Sequence, residues 1–237
     1  MKVAIHQPHY WPWAAYLHKA LSADVFVYLD VAQFSKNGFQ NRNRIKTRKG
    51  AAWLTLPVQH RFGQTIAETL VAGRMTLEAH GKTIRANYAG TAGFQRWTED
   101  LDRLFGRSTA SLSELAIAST EWMLDRLGAT VRRVRASELP GIGGSGSKLI
   151  ASICSCLDAS AYLSGTGALG YMNVSDFSSI GCAVSLQEWC SPVYEQAHTA
   201  IGFIPDLSAL DLLLNCPESA ATVIRAGGTW KSVHSFV

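Results

Sequence analysis

Two histidines three residues apart, in His6-Gln7-Pro8-His9-Tyr10, are the first groups of this chain able to move protons near neutral pH. A proline lies between them, so they belong to a turn and not to one helix face, where a metal-binding pair usually stands four apart. A histidine beside a carboxylate can act as a general base, and Asp30 follows the next apolar run. Further on, Lys36-Asn37-Gly38-Phe39-Gln40-Asn41-Arg42-Asn43-Arg44-Ile45-Lys46 interleaves amides with bases. Between Lys36 and Lys49 there are six Lys or Arg and no acid. Amides donate and accept, and the planar guanidinium fits phosphate or carboxylate. In extended backbone Arg42, Arg44 and Lys46 share one face and Asn41 and Asn43 the other. A base-protected edge strand explains the charges but not the interleaved amides. Binding of a phosphorylated ligand explains both.

Other segments carry weaker signals. Gly141-Ile142-Gly143-Gly144-Ser145-Gly146-Ser147-Lys148 lacks the phosphate-loop order, because Ser147 stands where Lys is required, and it reads as a connector. Ser164-Gly165-Thr166-Gly167 follows an apolar run and could border a crevice. Asp211 and Asn215 are four apart, on one helical face. Cys154 and Cys156 have no second close pair to complete a zinc site, and nothing near Cys190 marks it as a nucleophile.

The positioning elements alternate. Residues 3–5, 25–29, 51–58, 131–134, 161–164 and 183–186 read as strands. Residues 12–21, 77–127, 147–157 and 207–225 read as helical, with Pro12 at a helix start, Gly128 at a stop and Pro217 as an interruption. This order predicts an α/β fold with a mainly parallel sheet flanked by helices and a helical C-terminal segment. One α/β domain over 1–195, with a helical insertion at about 77–128, would carry the 196–237 segment packed upon it. Ligands of such sheets bind at the strand C-terminal ends, so His6, His9, Tyr10, Asp30, Gln33 and Lys36 are expected to share a crevice there.

The chain has 237 residues, is 47% hydrophobic and 17% charged, and carries a formal charge of +4, which suits a compact enzyme-sized fold. It lacks a signal-peptide pattern and any membrane-length apolar run, and its five cysteines are an odd number. The expectation is a cytoplasmic protein with reduced thiols and no membrane partner.

His6-Gln7-Pro8-His9-Tyr10-Trp11-Pro12-Trp13, then Tyr16, Lys19, Asp24, Asp30, Gln33-Phe34 and the run Gln40 to Lys46, resemble the opening of the WbqC-like proteins. Trp53 to Val58, Tyr162 to Gly165, Pro192 to Gln196 and Phe203 to Asn215 extend the likeness over nearly the whole chain. Ala15 departs from it where a Gly is expected, as does Cys216-Pro217 in place of a Gly-containing turn. The resemblance implies bacterial surface-polysaccharide or natural-product biosynthesis, with an amino-acyl group attached to an amine or amino sugar. It also adds Tyr194, Gln196 and Asp211 as distant contributors.

On that reading His6, His9, Asp30 and Lys36 are catalytic candidates. Gln7, Tyr10, Gln33, Gln40, Asn41, Arg42, Asn43, Lys46, Ser164, Tyr194, Gln196 and Asp211 are the substrate-binding ones. A small-molecule amine is the acceptor. Aminoacyl-tRNA, or ATP with a free acid, is the donor or activator; the basic run would hold the phosphates of either. No metal is assigned. The alternatives are a hydrolytic or metal-dependent enzyme using His6 and His9, and a non-catalytic nucleotide or nucleic-acid binder with a broad, exposed basic surface.

Overall fold

The computed structural model describes residues 1–73, 75–168, 170 and 172–233. The chain runs β1 (Lys2–His6), α1 (Ala14–Leu21), β2 (Val25–Tyr28), β3 (Arg42–Thr47), β4 (Gly50–Thr55), β5 (Val58–Gln59), β6 (Leu70–Val71), α2 (Met75–Tyr88), α3 (Ala92–Phe105), α4 (Leu112–Arg126) and β7 (Arg132–Arg135). It continues through α5 (Gly146–Cys156), β8 (Ala161–Ser164), α6 (Val174–Ser178), β9 (Ala183–Trp189), α7 (Ala209–Asn215), α8 (Ala220–Ala226) and β10 (Gly228–Val233).

The main sheet has the order β10-β9-β8-β1-β2-β7. It is parallel except for β10, which runs antiparallel to β9. The fold is therefore the expected α/β class. β1 lies in the middle, covered on both faces, which is why Val3-Ala4-Ile5 is an unbroken apolar run. Val3 and Ile5 join Val25, Val27, Tyr162 and Val184 in a core with Ile150, Ile153 and Phe177 of α5 and α6. Ala4 faces the other way, with Phe26 and Leu163, into a larger core that takes Leu17 of α1, Met123 of α4 and Leu213 of α7.

Three elements differ from the sequence expectation. The strand read over 51–58 is two: β4 pairs with β3 in a hairpin outside the main sheet, and β5 pairs with β6. Pro57, which cannot donate to a ladder, separates them. The stretch 77–127 is three helices, because Thr91 and Ser111 cap fresh starts by accepting from Phe94 N and Glu114 N. The helical tail ends in a strand: past Gly227 the chain turns and pairs with β9 over Gly228–Val233. Residues 234–237 of that segment lie outside the described residues.

From β1 the chain winds outward through β2 to β7, then returns to the other side of β1 to lay down β8 and β9. The winding reverses between β1 and β8. Such a reversal opens a crevice at the strand C-terminal ends, and here those ends are His6 and Ser164.

Candidate active site

The turn after β1 is clamped on three sides. Trp11 N donates to Ser119 Oγ at 2.9 Å, and Thr120 Oγ1 donates to the His9 carbonyl at 3.3 Å, both from α4. Asn43 Nδ2 of β3 donates to the Trp11 carbonyl at 2.7 Å, and Tyr10 N to the Phe39 carbonyl at 3.2 Å. Trp11 takes a left-handed φ of 50°, a conformation that a bulky residue keeps only where its surroundings fix it. The turn after β1 and the amide-rich run therefore meet. Gln40 Nε2 completes the junction by donating to Gln7 Oε1 at 2.7 Å.

Inside this frame stands a group of bases. The His6 and His9 rings are 4.6 Å apart edge to face, and His6 lies 4.5 Å from Tyr16. Tyr16 and Lys19 are one turn apart on α1, and Lys19 Nζ donates to the Ile5 carbonyl at 2.9 Å. Lys19 is only 4% exposed, and among the described residues it has no ion pair with a carboxylate. Burial lowers its pKa from the ordinary 10.5 to about 7. Burial, and then the nearby Lys19 charge, lowers His9 to about 3 and holds His6 well below 6.5. Both imidazoles are neutral at physiological pH. His6 Nδ1 is 3.1 Å from the Gln7 carbonyl. A carbonyl only accepts, so Nδ1 carries the proton and Nε2 is the basic nitrogen.

Two adjoining cavities share His6, Lys19, Gly165 and Gly167. One, about 560 Å³, extends past Trp13 and Tyr16 to Gln187 and Trp189. The other, about 260 Å³, reaches Gln7, His9, Tyr162 and Ser164. His6 and Lys19 thus border both halves of one crevice at the sheet reversal.

The other sequence candidates fall into three places. Gln7, Gln40 and Ser164 belong with His6 and His9; Ser164 is fully buried and Gln7 links to Gln40. Tyr10 turns into the core, where its hydroxyl meets His80 Nδ1 at 3.0 Å. The Asp30 carboxylate accepts from Ser137 N at 3.0 Å and Ser137 Oγ at 2.6 Å, tying the end of β2 to the end of β7. No hydrogen bond joins Asp30 to either histidine among the described residues, so the Gln7 carbonyl orients the His6 ring. Gln33 and Lys36 are exposed. Asn41 and Asn43 are buried and bond main-chain carbonyls. Arg42 lies 4.5 Å over the Trp53 ring, with Arg44 at 5.8 Å.

Lys46, Tyr194 and Asp211 form a separate polar knot. Asp211 accepts from Tyr88 at 2.6 Å and Tyr194 at 2.9 Å, while Lys46 Nζ donates to the Gly202 carbonyl at 2.6 Å. Gln196 nearby closes a two-bond ring with the Ile204 main chain. Cys190 is exposed and, like the other cysteines, unpaired. Among the described residues, no three His, Cys, Asp or Glu converge as a metal would need, and no helix is long and apolar enough to cross a membrane.

Lys19 is a further site residue, outside the sequence-predicted set. Its signal was there. Ala14-Ala15-Tyr16-Leu17-His18-Lys19-Ala20-Leu21 is a short helix apolar nearly all round, which predicts burial on every side. A lysine in such a helix, with no acid within four residues on it, has no local partner.

An α/β protein with buried bases at its topological reversal is the class that fold and site define. The sequence matches the WbqC-like protein family over residues 7–223, and the chain belongs to that family. It is 32% identical over 228 residues to the uncharacterized protein Rv1507c of Mycobacterium tuberculosis, covering 94% of this chain and 97% of the relative. No solved structure matches it significantly.

Proposed function

We propose that this protein is an amide-forming acyl- or aminoacyltransferase, or ligase, acting on an amine or amino-sugar acceptor in bacterial polysaccharide or natural-product biosynthesis. The observation that carries this reading is the neutral His6, with Nε2 free to accept a proton, beside a crevice bordered by bases. An amine nucleophile must reach the acyl carbon unprotonated. Its nitrogen forms the new C–N bond while the acyl C–O bond to the donor breaks. His6 Nε2 takes the amine proton and returns it to the donor oxygen of an ester, which departs as alcohol; from an acyl phosphate the phosphate departs without it and His6 releases the proton to solvent. His9, packed on His6, keeps the site dry and shapes the acceptor pocket. Gln7 and Gln40 supply amide donors and acceptors for the acceptor's polar groups.

For the donor, the β3–β4 hairpin favours aminoacyl-tRNA over free ATP. Trp53 is 47% exposed beneath Arg42 and Arg44, with the half-exposed Phe39 6.2 Å from its ring. Lys36 precedes this hairpin in the sequence, and Arg48 and Lys49 lie in its turn. Exposed aromatics among bases hold single-stranded ends by stacking and charge. Phe39 in turn packs at 4.9 Å on Trp13, which lines the crevice. The test is to incubate the protein with aminoacyl-tRNA, or with ATP and amino acid, together with candidate amines, and to look for a mass gain on the amine. No product with either donor from a folded sample overturns the reading.

A further inference from the structure

Lys19 is a cation-forming group with which no carboxylate pairs among the described residues. It is buried, it spends one N–H on the Ile5 carbonyl, and it borders both halves of the crevice. Glu188 lines the outer half, but it is exposed and stands 3.4 Å from Thr229 Oγ1, with no ion pair to Lys19. The second buried lysine, Lys46, shows the contrast, because it has the Asp211 carboxylate in its neighbourhood. A buried amine without a counter-charge is costly, and a ligand that brings the charge recovers that cost.

We propose that the floor of this crevice binds an oxyanion of the ligand, a carboxylate or a phosphate, with Lys19 Nζ as its cationic anchor. The inference deepens the amide-forming reading by naming a feature of the ligand. It rests on that reading only for the choice of crevice, and it holds for any chemistry done there. On binding, Lys19 takes up a proton and pairs with the anion. The groups facing Lys19 are His6 from β1, His9 from the turn, Tyr16 from α1, Tyr162 from β8, and Gln187 and Glu188 from β9. His6 and His9 are already neutral, so between pH 7 and 9 Lys19 is the group whose charge changes. Anion affinity then falls about tenfold per pH unit above neutrality.

Calorimetric titration of the full chain with inorganic sulfate, inorganic phosphate, acetate and glycine tests this without any catalytic assay. The expected result is binding of at least one oxyanion, weakened about tenfold or more in Lys19→Met and declining from pH 7 to 9 in the wild type. Sulfate and acetate keep a constant charge over that range, so the slope belongs to the protein. Preference for the tetrahedral probes assigns a phosphate; preference for acetate and glycine assigns a carboxylate. Binding of none of the four, equal binding by a folded Lys19→Met, or affinity independent of pH overturns the proposal. The wild-type pH slope decides it should the variant not fold. Anion binding without amide formation would separate this site from the failure of the proposed activity.

Discussion

Asp211 and Lys19 are both ionisable, both almost fully buried and both surrounded by tyrosines or histidines, yet their surroundings are opposite. Asp211 accepts from two tyrosine hydroxyls and feels the Lys46 charge; burial still raises its pKa, but the hydrogen bonds and Lys46 oppose the rise. Lys19 has one carbonyl and two neutral imidazoles beside it, and burial alone sets its pKa. A polar group whose partners lie in the protein ties elements together: here α2, β3 and α7 meet through Tyr88, Lys46 and Asp211. A polar group whose partners are missing from the protein is oriented toward something that arrives.

Removing a member of the satisfied knot should therefore hurt stability most. Asp211→Ala leaves Lys46 buried without its counter-charge and two tyrosine hydroxyls without an acceptor. Urea unfolding should show a loss of about 3–5 kcal/mol, with Tyr194→Phe costing about 1 kcal/mol. A loss under 1 kcal/mol for Asp211→Ala would put Asp211 in the functional class with Lys19. The mirror experiment is His6→Ala. Its unfolding midpoint should stay near the wild type, while amide formation falls by about 10²–10⁴-fold. Full activity in that variant removes His6 as base.

The contrast was only half legible in the sequence. Strand and helix order gave the α/β class, because β1, β2 and β8 are buried on both faces and so run continuously apolar. The contact between the turn after β1 and the amide run was legible from residue type, since buried amides such as Asn43 and Gln40 must find partners and find them at Trp11 and Gln7, but none of residues 36–46 lines the two cavities. Side-chain direction was not legible. Asp30 stands at a strand end as expected, yet whether its carboxylate turns toward the histidines or toward Ser137 depends on β7, about a hundred residues away. Tyr10 and His80 pair across 70 residues. Lys19 was legible as a buried lysine with no acid on its own helix, but the lack of an acid from the other elements around it is not revealed by spacing along the chain. The closing strand β10 is not legible, since Gly228–Val233 is half polar and directly preceded by helix.

The pH dependence of stability sharpens the comparison further. Lys19 has a pKa of about 7 in the fold, against 10.5 as its ordinary value. Between those values the unfolded chain binds the extra proton, so folding becomes more favourable as pH rises from 7 toward 10.5. At pH 7 and below, the full destabilisation is present. Lys19→Met should accordingly be more stable than the wild type near pH 7, by up to a few kcal/mol, with the gap closing by pH 10. Buried tyrosines such as Tyr10 and Tyr28, whose pKa values are raised by burial, weaken both proteins equally at high pH and drop out of the difference. The histidines act at the acid end. Their folded pKa values are lowered, so stability falls as pH drops below 6.5, more gently in His9→Phe. A gap between wild type and Lys19→Met that does not change with pH would mean that Lys19 is compensated after all.

The smallest effect is expected at the exposed hairpin, which belongs to neither buried group. Trp53 contributes little to the core, since nearly half of it faces solvent, so Trp53→Ala should leave the unfolding midpoint within about 0.5 kcal/mol. Stacking of one base is worth about 1–3 kcal/mol, so the variant should raise KM for aminoacyl-tRNA roughly five- to a hundredfold while kcat stays unchanged. Arg42→Ala should do the same and flatten the salt dependence of KM, because it removes one phosphate contact. The oxyanion site at Lys19 gives the opposite pattern, an effect on small anions that survives both hairpin variants. If Trp53→Ala instead lowers kcat with KM unchanged, the Trp53-Phe39-Trp13 contact is shaping the crevice and not docking a donor, and the hairpin joins the active site.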